Sequence, residues 1–208
     1  MFKNYFTTAI NNLLSNKLYS GINIVGLAFG LAATILIALY VLDETSYDKQ
    51  WQNSGRIYRV NTLRNVTGDG FSTTASTAMP VLPALQRFFP QAIETGTRFM
   101  SLPSAITLGT QRFEETVMRA DSGFPAMFDL ETLAGNLTEA MSEPGKVALR
   151  ADVALRYFGG GENIADVIGQ VLSISSYGVS RDYQVAAVYR FPAGNTVLDL
   201  PMLTWLDE

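Results

Sequence analysis

An uncharged apolar segment from Leu18 to Leu42 constrains this chain more than any other feature; Lys17 and Asp43 bound it. A bilayer core requires about 20 predominantly apolar residues in a helix. A helix over this segment would be about 37 Å long at 1.5 Å per residue, which is enough to span a bilayer with some tilt. The sequence therefore predicts a transmembrane helix over residues 18–42.

A cleaved signal peptide is the alternative interpretation of such a segment. Signal peptides have an apolar core of about 7–15 residues that ends in a small-x-small cleavage site. Here the apolar segment is longer, and its end, Tyr40-Val41-Leu42-Asp43, offers no such site. These two features favour an uncleaved anchor.

One side of the predicted anchor carries Asn23, Gly26 and Gly30, at helical spacings of three and four residues. Small residues at this spacing let a second helix approach closely, and an asparagine inside a membrane usually faces protein. The alternative is that glycine is simply frequent in membrane helices. We predict a helix–helix contact at these three residues because the asparagine shares their face.

The distribution of charge predicts the orientation of the anchor. Lys3 and Lys17 are the only charged side chains before residue 43, and all 19 acidic residues follow. Basic residues on one flank keep that flank in the cytoplasm. The sequence therefore predicts a single-pass protein of the bacterial inner membrane, with a cytoplasmic N-terminus and a periplasmic C-terminal part.

Composition excludes several classes of function. The 208 residues include no cysteine and no histidine, which removes disulfides, thiol chemistry and every Ser-His or Cys-His catalytic arrangement. The net charge is −4 without a basic tract, which argues against nucleic-acid binding. We therefore expect no catalytic residues, no cofactor, no metal and no enzymatic activity.

The chain divides into four predicted parts. Residues 1–17 show an apolar stripe opposite basic and amide side chains, which predicts an amphipathic helix at the cytoplasmic membrane interface or against a partner subunit. The parts are the amphipathic helix (1–17), the transmembrane helix (18–42), a membrane-exit linker (43–56) and a core domain (57–208). Tyr47 and Trp51 fit equally well at the outer membrane interface and in the base of the core domain.

The core domain is predicted to be of the α+β class. Helices are predicted over 80–89 and 151–158, and a loop over 136–145, with a turn over 65–70 and an undecided strand or loop over 72–78. Alternating or short apolar runs predict strands over 57–62, 93–100, 106–108, 113–120, 146–149, 171–174 and 183–189. The candidate core aromatics are Phe88, Phe124, Phe128, Phe158 and Tyr183.

Two sequence patterns resemble a nucleotide-binding motif and a catalytic motif, but we interpret neither as a functional site. The run Gly159-Gly160-Gly161 follows a helix and lacks a subsequent Lys-Ser/Thr, so we interpret it as a left-handed helix C-cap rather than a phosphate loop. The pair Glu114-Glu115 lies on a predicted strand, where adjacent side chains point to opposite faces. We interpret both carboxylates as solvated charges.

The order and spacing of several short motifs resemble the N-terminal part of MacB-like ABC transporter permeases, which are grouped with FtsX-like permeases. The resemblance covers nearly the whole chain. The motifs are Asn23-Ile24-Val25-Gly26-Leu27-Ala28-Phe29-Gly30, Tyr47-Asp48, Ile57-Tyr58-Arg59-Val60, Phe124 to Phe128 with Leu133-Ala134-Gly135, Ala154 to Gly159, Ile168-Gly169-Gln170 and Tyr183 to Val188.

The resemblance implies a first transmembrane helix followed by a mixed α/β periplasmic core domain in two lobes. It implies a non-catalytic permease component of an export or mechanotransmission system, in which a separate cytoplasmic ABC ATPase hydrolyses ATP. The implied partners are that ATPase, a second permease subunit in a homodimer or heterodimer, the lipid bilayer and a periplasmic adaptor. The resemblance identifies neither the substrate nor the direction of transport.

The chain departs from the family pattern in three places. Family permeases continue into three further membrane helices, so we expect a fragment or a truncated product here. The strand position that is usually glycine is Ala187, and the usual Pro-x-x-Ser-His segment is Pro192-Ala193-Gly194-Asn195-Thr196, which is expected to lose its usual contact.

Two alternative functions stay open from the sequence. The first is a membrane-anchored periplasmic ligand-binding or sensor domain, although 17 residues before the anchor are too few for an output domain. The second is an anchored periplasmic hydrolase, for which the sequence shows no motif.

Overall fold

The structure is a computed structural model that describes residues 2–66, 70–159 and 163–206. The chain divides into two compact units, Met1–Tyr47 and Asp48–Glu208. Each unit is described by itself below.

The first unit consists of two helices, α1 (Phe2–Ser15) and α2 (Lys17–Glu44). Helix α2 has the length and the mean hydropathy, 2.5, of a helix that can cross a membrane. It begins one residue before the predicted span and ends two residues after it. Thr45 follows as the C-cap, and its Oγ1 donates to the carbonyl of Val41 at 2.7 Å. The predicted helix is therefore confirmed, whereas the boundaries of the four parts stay predictions.

The second unit is organised around a seven-stranded mixed sheet, which explains the α+β class. Its strands are β3 (Phe99–Leu108), β4 (Gln111–Ala120), β5 (Glu131–Gly135), β6 (Lys146–Arg150), β7 (Val171–Ser176), β8 (Val179–Arg190) and β9 (Met202–Trp205). The order is β5-β8-β6-β9-β4-β3-β7, and β7 also pairs with β8. Six strands therefore form a closed ring, and β5 extends from β8.

Strand β8 joins the two ends of this ring because it is long enough to have three partners. Its first half pairs with β7, and its second half lies between β5 and β6. Residues 185–189 are all buried, so both faces of the strand are covered. This explains why its sequence, VAAVY, is continuously apolar rather than alternating.

Two clusters of buried side chains pack on the two faces of the sheet. One contains Phe124 and Phe128 from α4 (Phe124–Phe128) together with Tyr189. The other contains Tyr183 and side chains from α6 (Ala151–Phe158). Phe124, Phe128 and Tyr183 are thus confirmed as core residues, and Phe158 is partly buried against the second cluster.

The predicted strand over 57–62 is wrong except at its last residue. Strand β1 (Thr62–Val66) pairs with β2 (Gly70–Thr74), whereas residues 57–61 have no regular secondary structure. The side chain of Tyr58 is 85% exposed, so alternation here does not reflect a half-buried face. The chain from residue 72 is strand up to Thr74 and irregular beyond it. The centre of the predicted turn, residues 67–69, lies outside the described residues.

The strands predicted over 93–100 and 106–108 are parts of one longer element. Only Phe99 and Met100 of the first are strand, and the second is the end of β3. Pro103 lies between the two predicted strands, and proline cannot donate to a ladder. Beyond β4, β3 is paired only from Ala105 to Thr107, so Pro103 lies on a free edge where a missing N–H is tolerated.

The predicted loop over 136–145 contains a short helix, α5 (Leu137–Ala140). The side chain of Asn136 accepts hydrogen bonds from the backbone N–H groups of Thr138 at 3.0 Å and Glu139 at 3.3 Å. This is an N-cap, which stabilises a helix start that apolar spacing does not reveal. Strand β9 was also missed.

Both predicted helices are confirmed, with corrections beside each. Helix α3 (Val81–Phe88) lies inside the predicted range, but Phe88 is 72% exposed and is not a core residue. Helix α6 has the predicted bounds. Gly159 follows it with φ 77° and ψ 161°, so its φ is positive as expected but its ψ is extended rather than left-handed helical. Gly160 and Gly161 lie outside the described residues.

Candidate functional site

Asn23, Gly26 and Gly30 lie along one exposed side of α2. A Cβ atom added at either glycine would have no other atom within 4 Å outside its own turn. One turn beyond Gly30, the hydroxyl of Thr34 donates to the Gly30 carbonyl at 2.9 Å and so stays within the helix. No other part of the described chain covers this face, and the predicted helix–helix contact stays a prediction.

The second candidate site lies within the second unit, where the chain enters it. We call residues Asp48–Trp51 the exit segment, and residues Phe191–Thr196, which follow β8, the β8–β9 loop. The backbone N–H of Asp48 donates to the carbonyl of Asn195 at 2.8 Å. The hydroxyl of Thr196 donates to the Asp48 carboxylate at 2.6 Å. These bonds fix the first residue of the unit to a loop near its other end.

Trp51 holds the exit segment by packing. Its side chain is only 4% exposed, and its ring meets Phe128 at 5.1 Å and Phe191 at 5.4 Å, both edge-to-face. Such aromatic pairs add stabilisation beyond the burial of area. The indole N–H points to the Asp48 carboxylate at 3.4 Å. Of the two positions predicted for Trp51, the structure therefore shows the one inside the core domain.

Gln50 lies between Asp48 and Trp51, and the hydrogen-bonding groups of its side chain are not satisfied. Both polar atoms of its amide are buried without a hydrogen-bond partner among the described residues. Gly194 packs against it: a Cβ added there would lie 3.1 Å from the Cβ of Gln50. The φ angle of Gly194 is 145°, a backbone conformation that favours glycine. The loop that departs from the family pattern thus still makes a close contact.

The glutamate pair separates into two environments. Glu114 is exposed and pairs with Arg112 at 3.4 Å, as expected for a solvated charge. The prediction is wrong for Glu115, whose side chain is 17% exposed and pairs with Arg156 of α6. The hydroxyl of Tyr157 also donates to Glu115, at 3.4 Å. Burial and then the Glu115 charge raise the pKa of Tyr157 to about 12, so the phenol stays protonated at neutral pH.

Two observations bear on ligand binding, one on metal ligands and one on a cleft in the second unit. The described residues contain no group of three or more His, Cys, Asp or Glu side chains arranged to hold a metal ion. A cleft beside α6, lined by Leu155, Phe158 and Ile164 among others, has a volume of about 220 Å³. Sites for small molecules usually enclose about 300–1,000 Å³.

Three comparisons with known structures concern the fold. A domain of a protein described as a permease of Porphyromonas gingivalis superimposes with a TM-score of 0.57 at 22% identity, covering 71% of this chain and 60% of that domain. The extracellular domain of the ABC-type transporter YknZ from Gram-positive bacteria gives 0.46 at 12% identity, covering 61% of this chain and 60% of that one. The periplasmic region of MacB from Actinobacillus actinomycetemcomitans gives 0.40 at 14% identity, covering 53% and 47%.

The first of these likenesses shows the fold, and the chain spans 60% of that domain's length. No curated protein sequence matches the chain significantly. A family model described as the MacB-like periplasmic core domain matches residues 20–206, which is most of the chain. The resemblance inferred from the motifs is thereby confirmed, and the chain belongs to the family of MacB-like periplasmic core domains found in ABC-type permeases.

Proposed function

We propose that this chain is the permease component of an export or mechanotransmission system, coupled to a separate cytoplasmic ABC ATPase. The observation that supports it best is the direct succession of a membrane-length helix and a MacB-like core domain. Its partners would be the ATPase, a second permease subunit and a periplasmic adaptor. The core domain would act by moving, without catalysis of its own.

The connection between helix and domain is suited to carrying force. Helix α2 ends at Glu44, and the second unit begins at Asp48. The connection from Glu44 to Asp48 is four residue steps long and reaches at most about 14 Å when fully extended. A larger displacement of the helix would therefore act directly on the exit segment, which Trp51 fastens into the core. A long flexible linker would absorb the same displacement.

The decisive experiment is a reconstitution of the full chain in nanodiscs with a cytoplasmic ABC ATPase from the same genome. We expect the two proteins to copurify and the rate of ATP hydrolysis to differ from that of the ATPase alone. Empty nanodiscs are the control. An unchanged hydrolysis rate together with no copurification would contradict the proposal.

The orientation is part of the proposal and needs its own measurement. The basic residues Lys3 and Lys17 before the anchor support a cytoplasmic N-terminus. A reporter enzyme that is active only in the periplasm should be active when fused after Glu208. Activity of a cytoplasm-only reporter at the same position would reverse the orientation.

The subunit contact on α2 can be tested with matched substitutions. We expect Gly26→Leu or Gly30→Leu to lower the yield of crosslinked permease dimer strongly, because a leucine side chain holds apart helix backbones that glycine lets touch. Leu36→Ala, in the same helix, is the control with little expected effect. Equal dimer yields for the three variants would place the contact elsewhere.

A further inference from the structure

The stability of the fold does not explain why the side-chain amide of Gln50 is buried. Both its polar atoms are buried without a partner in the part of the chain that the structure describes. A buried amide without hydrogen bonds opposes the conformation that buries it, since water would satisfy it in an open state. Native proteins keep few such groups. The buried Gln50 amide thus destabilises the contact between the exit segment and the β8–β9 loop.

The neighbours of Gln50 act in the opposite direction. Asp48 binds the loop through its backbone N–H, at 2.8 Å from the Asn195 carbonyl, and through its carboxylate, at 2.6 Å from the Thr196 hydroxyl. Trp51 packs against Phe191 of the same loop at 5.4 Å. Two hydrogen bonds and one ring contact therefore hold the loop against the exit segment. The buried Gln50 amide favours their separation.

The loop cannot move away freely along its whole length. Beyond Thr196 the chain is fastened again, because the backbone N–H of Arg150 donates to the Pro201 carbonyl at 3.0 Å and its guanidinium pairs with Asp199 at 2.8 Å. Strand β9 follows directly and lies between β6 and β4. Opening would therefore free the β8–β9 loop and leave β9 in the sheet.

We propose that the exit segment and the β8–β9 loop form a two-state latch. In the closed state, which the structure shows, Asp48 and Trp51 hold the loop and the Gln50 amide is buried. In the open state the loop separates from the exit segment and water hydrates the amide. In the transporter, displacement of α2 would open the latch, and this role rests on the proposed function. The existence of the two states does not depend on the proposed function.

The latch is tested by hydrogen exchange at the backbone N–H of Asp48, measured by mass spectrometry on the full chain in detergent micelles. Thr196→Val removes the hydroxyl bond to Asp48, together with the bond that this hydroxyl accepts from the Leu198 N–H at 3.1 Å. It should raise the exchange rate about fivefold. Gln50→Leu replaces the buried amide with an apolar group of similar size and should lower the rate about fivefold. Opposite effects at one contact cannot arise from a general loosening of the domain.

A second pair of variants keeps the test decisive if Gln50→Leu fails to fold. Gly194→Ala places a methyl group against Gln50 and should raise the exchange rate at Asp48. Adding Gln50→Ala removes most of the side chain against which that methyl group presses. Part of the Gly194→Ala effect should then disappear, as in a double-mutant cycle between touching residues. Thr74→Val, on β2, is the matched control and should leave exchange at Asp48 unchanged.

The latch is overturned if the Asp48 N–H of the Gln50→Leu variant exchanges at or above the wild-type rate. It is also overturned if Thr196→Val leaves that exchange rate unchanged. Fully additive effects of Gly194→Ala and Gln50→Ala would also overturn it. No ATPase is present in the measurement. A failure of the latch is therefore distinct from a failure of ATPase coupling, which the nanodisc reconstitution measures.

Discussion

The closed sheet and the segment before it, residues 58–92, both carry apolar side chains but differ in whether those side chains are buried. In the sheet, alternating and continuous apolar runs are buried. Leu149 and Tyr189 are fully shielded from solvent, as is Phe124 of α4, which packs on the sheet. In the segment, which contains β1, β2 and α3, none of the described residues is buried. Leu63 is 64% exposed, and Phe71 is 72% exposed.

The difference teaches that apolar pattern and burial are separate properties. The sheet strands have partners around a ring, so both of their faces can be covered. The hairpin of β1 and β2 forms a sheet of two strands, which by itself is marginally stable. The stability of the second unit should therefore reside in the ring, and equal substitutions in the two regions should have unequal effects.

The largest effect is expected for Phe124→Ala. This ring is fully buried and lies 4.5 Å from the ring of Phe128, so its removal should lower the free energy of unfolding by about 3–5 kcal/mol. Phe88→Ala is the same substitution at a ring that is 72% exposed, and should change stability by less than about 0.5 kcal/mol. Urea unfolding of the full chain in micelles measures both. Comparable losses would show that α3 is covered after all.

Charged pairs give an intermediate effect with the same contrast. Arg98 and Asp121 form a two-armed ion pair with side chains 24% and 16% exposed, joining the start of β3 to the end of β4. Arg56 and Glu94, which flank the segment, are 72% and 75% exposed. We expect Arg98→Ala to cost about 1–2 kcal/mol and Arg56→Ala less than about 0.5 kcal/mol. The two losses, measured by the same urea unfolding, would be similar if exposure were not the deciding factor.

The elements that the sequence predicted well have strong local signals. The anchor follows from an uncharged segment of membrane length, and α6 follows from apolar spacing that a glycine ends. The second half of β8 was found because a strand covered on both faces is apolar at every position. The motifs added the family, which no local pattern could supply.

The elements that the sequence did not predict depend on distant contacts. Strand β9 has four residues, and its parallel pairing with β4 joins Val117 to Met202. The bond between Asp48 and Thr196 joins residues 148 positions apart. Asp48 was recognised only as part of a family motif, and Gln50 was not singled out at all. The burial of the Gln50 amide depends on its contact with Gly194, which is distant in the sequence, so the residues around Gln50 do not reveal it.

The smallest effect is expected on the hairpin, where it tests the comparison most directly. Leu63 and Phe71 lie on the same face of the two strands, because Leu63 pairs with Thr73 and Phe71 with Asn65. Replacing both with threonine keeps a residue that favours strands and removes exposed apolar area. The free energy of unfolding should change by less than about 0.5 kcal/mol, while binding of a hydrophobic dye should fall. A loss of about 1 kcal/mol or more would show that the hairpin packs against something, and the contrast between the two regions would fail.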